Sequence, residues 1–250
     1  MNHINDNGGV ENLTSRPIRR TAQGQERGQL GKYVEPDPKG EALSPNIPDK
    51  VRRSLVRIEG AEGGLGTGFL LGTEMIVTCA NCLPDISSVN PEDHPLLKIH
   101  SNDGTKSAWA SIQFVDPIGD VAILLCARDD DDEENEAEQE FDDLTESLSA
   151  LELRDTPRPS HATEPCYLLT SDNEWLRATA YFGCEFGREI ELKFDEVTAR
   201  VPVENFGTPV VDRNGQVVGI LKVGRRFRPE AEAVCLPDRL PKWAIDLSKG

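Results

Sequence analysis

From Ser54 to Pro237 the chain is written almost entirely in short β-type runs, each closed by Gly, Asn, Asp or Pro. SLVRIEG, GTGFLLG, EMIVTCA, LLKIHS, SAWASIQFV and DVAILLC form one group; CYLLTS, LRATAYFGC, EIELKFDEV, TPVVD, QVVGILKV and AVCLP form a second. Runs of this length predict strands, and no helical stretches alternate with them, which excludes layered β/α architectures. Two packed antiparallel barrels or a sandwich fit the pattern. Arg213-Asn214-Gly215-Gln216 reads as a hairpin in which Asn and Gly take the positive φ angles of the turn. Asn46 is placed to cap a short helix running through Val51, and LPKWAIDL to close the domain as another. No internal repeat is evident.

The two groups are separated by DDDDEENEAEQEFDD, residues 129–143, with eleven acids and no base. The whole chain of 250 residues carries 27 Lys and Arg against 44 Asp and Glu, a formal charge of −17. Without the run, 33 acids face those 27 bases, so the acidity is local. Such a stretch repels itself and stays solvated, which predicts a mobile loop and not a helix face. Its plain reading is a spacer. Its sharper reading is a docking element, in which Asp129, Asp130, Asp131, Asp132, Glu133 and Glu134 meet a basic protein surface. A divalent-cation loop would need regular carboxylate spacing and a turn glycine, and both are missing. The basic stretch Gly224-Arg225-Arg226-Phe227-Arg228 reads as a solvated loop, with intramolecular pairing to the acidic run as the other option.

The net charge argues against nucleic acid as the main partner, because phosphate binding rests on Lys and Arg. No window approaches the apolar length of a membrane span, and residues 1–15 have no basic region followed by an apolar one. A cytoplasmic location is the expectation. Residues 1–46, rich in Gly, Asn, Gln and Pro, read as a disordered tail that a partner would order. The expected organisation is that tail, then a domain over 47–247. The domain divides into a first strand group over 50–127, an acidic connection over 128–145 and a second strand group over 160–240.

Six cysteines occur, at 79, 82, 126, 166, 184 and 235, and with no secretory signal they read as reduced thiols. Cys79 and Cys82 form a C-x-x-C pair, but no second pair or nearby His completes a zinc set. Buried structural thiols are the favoured reading over metal or redox chemistry. No cofactor, metal or small-molecule substrate is expected.

Three segments, in order, carry a resemblance. GTGFLLGTEMIVTCANCL, residues 66–83, looks like the stretch of trypsin-like peptidases that ends in Thr-Ala-Ala-His, the His being the general base. DPIGDVAILLC, residues 116–126, is similar to the strand that presents their triad Asp. VENFGTPVVDRNGQVVGIL, residues 203–221, resembles the Gly-Asp-Ser-Gly segment that carries the nucleophilic Ser. The resemblance covers about residues 50–247. It implies an all-β fold of two six-stranded antiparallel barrels, the first over 50–127 and the second over 160–240, with the site between them and the acidic run at their connection. The short helices at the start and the C-terminus are read from the residues above.

Carried over one position at a time, the general base falls on Asn81, the triad Asp on Asp120, the nucleophile on Phe206, and the glycine two residues before it on Glu204. Acyl transfer of this kind needs an oxygen or sulfur nucleophile and a base to take its proton. An Asn amide has no basic nitrogen and Phe has no nucleophilic atom. Glu204 brings a carboxylate to where an oxyanion would develop. Asp120 is expected to hold backbone amides or to pair with Asn81, and Phe206 to fill vacated space or to stand out as an anchor for a ligand peptide. His94 and His100 do not follow the first motif's strand, and Thr208 is two residues past the nucleophile position.

The resemblance therefore implies an inactive member of the family, a protein-binding or regulatory subunit that uses its loops and a free strand edge. By family-level analogy such subunits suit bacterial defence or signalling complexes, protease-associated CRISPR systems among them. The other class of function is a hydrolase with relocated chemistry at Cys184 or Cys79.

Overall fold

The structure is a computed structural model that describes residues 46–59, 65–83, 94–127, 136–155, 162–170, 172–183, 189–195, 205–224 and 230–249. Residues 1–45, Asp129–Glu134, Cys184, Glu204 and Arg225–Arg228, for all of which the sequence raised expectations, lie outside the described residues.

Helix α1 (Ile47–Ser54) leads into β1 (Leu55–Glu59), β2 (Leu65–Leu71), β3 (Met75–Thr78), β4 (Leu97–Ser101), β5 (Ser107–Asp116) and β6 (Val121–Cys126). These six close into one antiparallel barrel in the order β1-β2-β3-β6-β5-β4. The strands β7 (Thr163–Leu169), β8 (Trp175–Phe182), β9 (Glu189–Phe194), β10 (Pro209–Val211), β11 (Val217–Gly224) and β12 (Glu230–Cys235) close a second, in the order β10-β11-β12-β9-β8-β7. Alternation sets which face turns inward, as in β8, where Ala178, Ala180 and Phe182 are buried and their neighbours are not. Among the described residues, closure leaves little unpaired edge of the kind foreseen for an extended peptide. The thinnest seam is between β10 and β7, which share one residue pair, Val211 with Tyr167.

Each barrel has its own core, and a third cluster joins them. Phe69, Val77 and Ile123 of the first barrel pack there with Tyr167, Val211 and Ile220 of the second, and with Val51 of α1. The connecting chain is stitched to both. Leu151 N–H donates to Leu70 O at 2.9 Å, and Val217 N–H donates to Glu152 O at 2.8 Å. Short parallel bridges pair Leu71 with Leu151 and Leu153 with Val217.

Three local expectations need correction. Helix α2 (Glu136–Ser147) occupies much of what reads as an acidic loop. Phe141 and Leu144, three residues apart, lie on one helix face and are buried against the first barrel's core, which offsets the charge repulsion along the solvent face. At α1, Asn46 sits at the cap position, but its side chain makes no capping bond and the helix runs on to Ser54. In the β10–β11 hairpin only Gly215 has positive φ, at 78°. Asp212 Oδ1 accepts the N–H groups of Asn214 at 2.8 Å and Gln216 at 3.1 Å, so an Asx-type turn shapes the loop. At the C-terminus, α3 (Lys242–Leu247) packs Ala244 into the shared cluster.

Candidate functional site at the barrel junction

The three positions singled out by the sequence meet where the barrels touch. From the first barrel, β3 ends at Thr78, and a 3-10 turn over Ala80–Cys82 leaves Asn81 exposed. The turn before β6 is built by Asp116, whose Oδ1 accepts the N–H groups of Ile118 at 3.1 Å and Gly119 at 2.8 Å. Arg239 braces the other oxygen at 3.3 Å. That turn delivers Asp120 in a left-handed conformation, φ 56°, unusual for a residue with a side chain. Its carboxylate is thereby aimed at the 3-10 turn, and Oδ1 accepts the Asn81 main-chain N–H at 2.8 Å.

Asp120 is 2% exposed. Burial pushes its carboxyl above the ordinary value, against hydrogen bonds from the main chain and side chain of Asn81 and the attraction of Lys222. Lys222, on β11, also lies 3.5 Å from Glu189. Its influence on Asp120 was not legible in the sequence, since 102 residues separate the two.

From the second barrel comes the turn Asn205–Gly207, which precedes β10. Phe206 is half-buried, and its ring packs against both the shared cluster and the second barrel's core. Its carbonyl accepts the Thr67 N–H at 3.0 Å and the Cys82 thiol at 3.2 Å. Gly207 has φ 89°, and a Cβ there would stand 1.8 Å from Thr67 O. Thr67 O also accepts the Thr78 hydroxyl at 2.7 Å. Backbone from β2, backbone from the Phe206 turn and the end of β3 are thus locked at one point.

Beside this point the Sγ atoms of Cys79 and Cys82 lie 2.9 Å apart. The sequence singled out the C-x-x-C spacing, but not its contact with Phe206, which depends on how the two barrels dock. His100 is elsewhere, on β4, with Nε2 3.0 Å from Glu59 Oε2. Among the described residues no three His, Cys, Asp or Glu side chains converge as a metal site. No helix among them is long and apolar enough to cross a membrane.

Comparison with known proteins bears on this geometry. Residues 66–220 match the family described as "Trypsin-like peptidase domain". The sequence matches none of the curated proteins with which it was compared. Among solved structures, the serine endoprotease from Yersinia pestis is 13% identical, with a TM-score of 0.52 over 83% of this chain and 68% of that one. The inactive form of the Rv3671c protease is 18% identical, with a TM-score of 0.48 over 79% and 93%. The human pathogenic astrovirus serine protease is 19% identical, with a TM-score of 0.48 over 76% and 94%. Identities this low speak to fold alone. The matched stretch runs from β2 into β11 and takes in Asn81, Asp120 and Phe206, and on that match the chain belongs to the trypsin-like peptidase domain family.

Proposed function

We propose that this domain binds protein instead of cutting it, as a catalytically inactive member of its family. The observation that carries the reading is Phe206. Its ring occupies the junction between two cores, at the position where the family's nucleophile falls, and it offers no atom that can attack a carbonyl. Asn81 adds to it, because an amide cannot take a proton from a nucleophile near neutral pH. Asp120, which would orient a base, has only the exposed amide residue Asn81 before it, whose main-chain N–H it accepts. Relocated chemistry at Cys79 has little support: the residue has no exposed surface, and its bond to Cys82, together with burial, holds its proton tightly.

The acid-rich segment favours a partner with a basic face. Helix α2 gives half of that segment a rigid presentation, with Glu136, Glu138, Glu140, Asp142 and Asp143 exposed. Such a field mainly speeds encounter. Replacing residues 129–134 by Ser or Asn should slow association far more than it changes dissociation, with the difference shrinking as salt rises. Unchanged rates across a salt series would make the segment a spacer. Defence and signalling complexes enter only as a choice of partners to screen.

The direct test is turnover of casein and generic peptides by the full chain, alongside serine- and thiol-directed activity probes. No turnover is expected. Cleavage that a serine-directed inhibitor blocks, or that Phe206→Ala abolishes, would overturn the proposal. The double variant Asn81→His with Phe206→Ser should still cleave poorly while Glu204 remains.

A further inference from the structure

The two thiols at the junction play no part in the reading above, yet their placement is specific. Cys82 N–H donates to Cys79 O at 3.0 Å, closing a tight turn. Such turns keep their end Cα atoms within about 7 Å, and disulfides span about 4.4–6.8 Å. The Sγ atoms, 2.9 Å apart, are closer than two sulfurs that merely pack. Gly66 makes the room: a Cβ there would stand 2.4 Å from Cys82 Cβ and 2.8 Å from its Sγ. Cys79 is fully buried, whereas Cys82 keeps some exposure.

The proton balance divides the roles. The hydrogen bond between the thiols holds the Cys79 proton in place, and burial raises that residue further. The same bond lowers Cys82 against the effect of burial. Elsewhere burial pushes Cys166 well up and Cys235 up to about 12.

We propose that Cys79 and Cys82 form a reversible dithiol–disulfide site, oxidised by low-molecular-weight disulfides such as glutathione disulfide, with Cys82 attacking first. The Cys82 thiolate attacks one sulfur of glutathione disulfide and expels a glutathione thiolate, leaving a mixed disulfide. Cys79 passes its proton to that departing thiolate and attacks Cys82 Sγ, expelling the second glutathione as a thiolate, which takes up from solvent the proton that Cys82 released on ionising. The protein loses two electrons and two protons, and one glutathione disulfide becomes two glutathione thiols. The Cys82 S–H donated to Phe206 O is lost in the product, so the oxidation state reaches the second barrel's turn. The chemistry stands whether or not the domain turns over substrate.

The test uses the full chain in glutathione disulfide, sampled over time, alkylated and mapped by mass spectrometry. The peptide spanning Cys79 and Cys82 should lose two hydrogens ~10-fold or more faster than Cys166 reacts, following thiolate character and access, and reduced glutathione should restore it. Cys79→Ser should trap glutathione on Cys82, and Cys82→Ser should protect Cys79. If both residues stay alkylatable, if they react no faster than Cys166, or if Cys82→Ser leaves Cys79 reacting at the wild-type rate, the proposal fails. Should either serine variant misfold, the wild-type time course decides alone.

Discussion

The junction is made of two turns that are held in different ways. The second barrel's turn is fixed by main chain: Phe206 O takes the Thr67 N–H, Gly207 N–H donates to Leu221 O at 2.9 Å, and Leu221 N–H donates to Thr208 O at 2.9 Å. The first barrel's turn closes on its own main chain, Cys82 N–H to Cys79 O and Leu83 N–H to Ala80 O, both at 3.0 Å. Its ties to the rest of the junction, however, run through side chains, with Asp120 reaching the Asn81 amide and the Thr78 hydroxyl reaching Thr67 O. A turn held by its backbone can change its side chain without losing its shape, which is how an aromatic ring can stand at position 206. A turn tied in by side chains cannot spare them as freely, which fits a buried aspartate kept in a strained conformation.

The contrast can be broken most severely at Gly207. Adding a methyl there opposes both φ 89° and the approach of Thr67 O, so Gly207→Ala should cost about 4 kcal/mol or more in denaturant unfolding. A near-neutral result would show that the backbone lock is not what fixes the turn. On the other side, Thr78→Val removes a buried hydroxyl donor and should cost about 2 kcal/mol. Phe206→Ala trims a half-buried ring but leaves every main-chain bond of its turn, so about 1–2 kcal/mol is expected. Amide exchange of Gly207 should stay close to wild type in that variant.

The smallest effect sharpens the comparison through pH. Burial raises the Asp120 carboxyl above its ordinary value. The folded protein therefore gains from the protonated form in acid and loses that gain as pH climbs through the raised value. Asn cannot ionise, keeps an oxygen for the Asn81 N–H and tolerates left-handed φ. Asp120→Asn should match wild type near the ordinary carboxylate range and gain on it toward neutrality, read as melting temperature across a pH series. A variant that loses ground as pH rises would mean the ionised carboxylate is better satisfied than its burial implies.

The strands were legible because one-sided burial writes itself into alternation and because Gly, Asn and Asp mark the turns. Asn81, Asp120 and Phe206 were placed by their neighbours in three motifs, and docking of the barrels brings them to one junction. Helix α2 was hidden by its own composition: eleven acids drew attention from Phe141, Leu144 and Leu148, whose spacing of three and four was there to be read. The contact of Cys82 with Phe206 and the pull of Lys222 on Asp120 had no local signal. Both arise from residues that only the closed barrels bring together.

The connecting chain at Leu151–Arg154 donates to β2 on one side and exchanges bonds with β11 on the other, with Leu151 and Leu153 inside the shared cluster. Neither barrel can melt without exposing apolar surface that belongs equally to its neighbour. Unfolding should be a single cooperative event despite the duplicated architecture, and neither half should survive as an excised fragment. Variants retaining only Trp109, on the first barrel, or only Trp175, on the second, should report coincident fluorescence transitions.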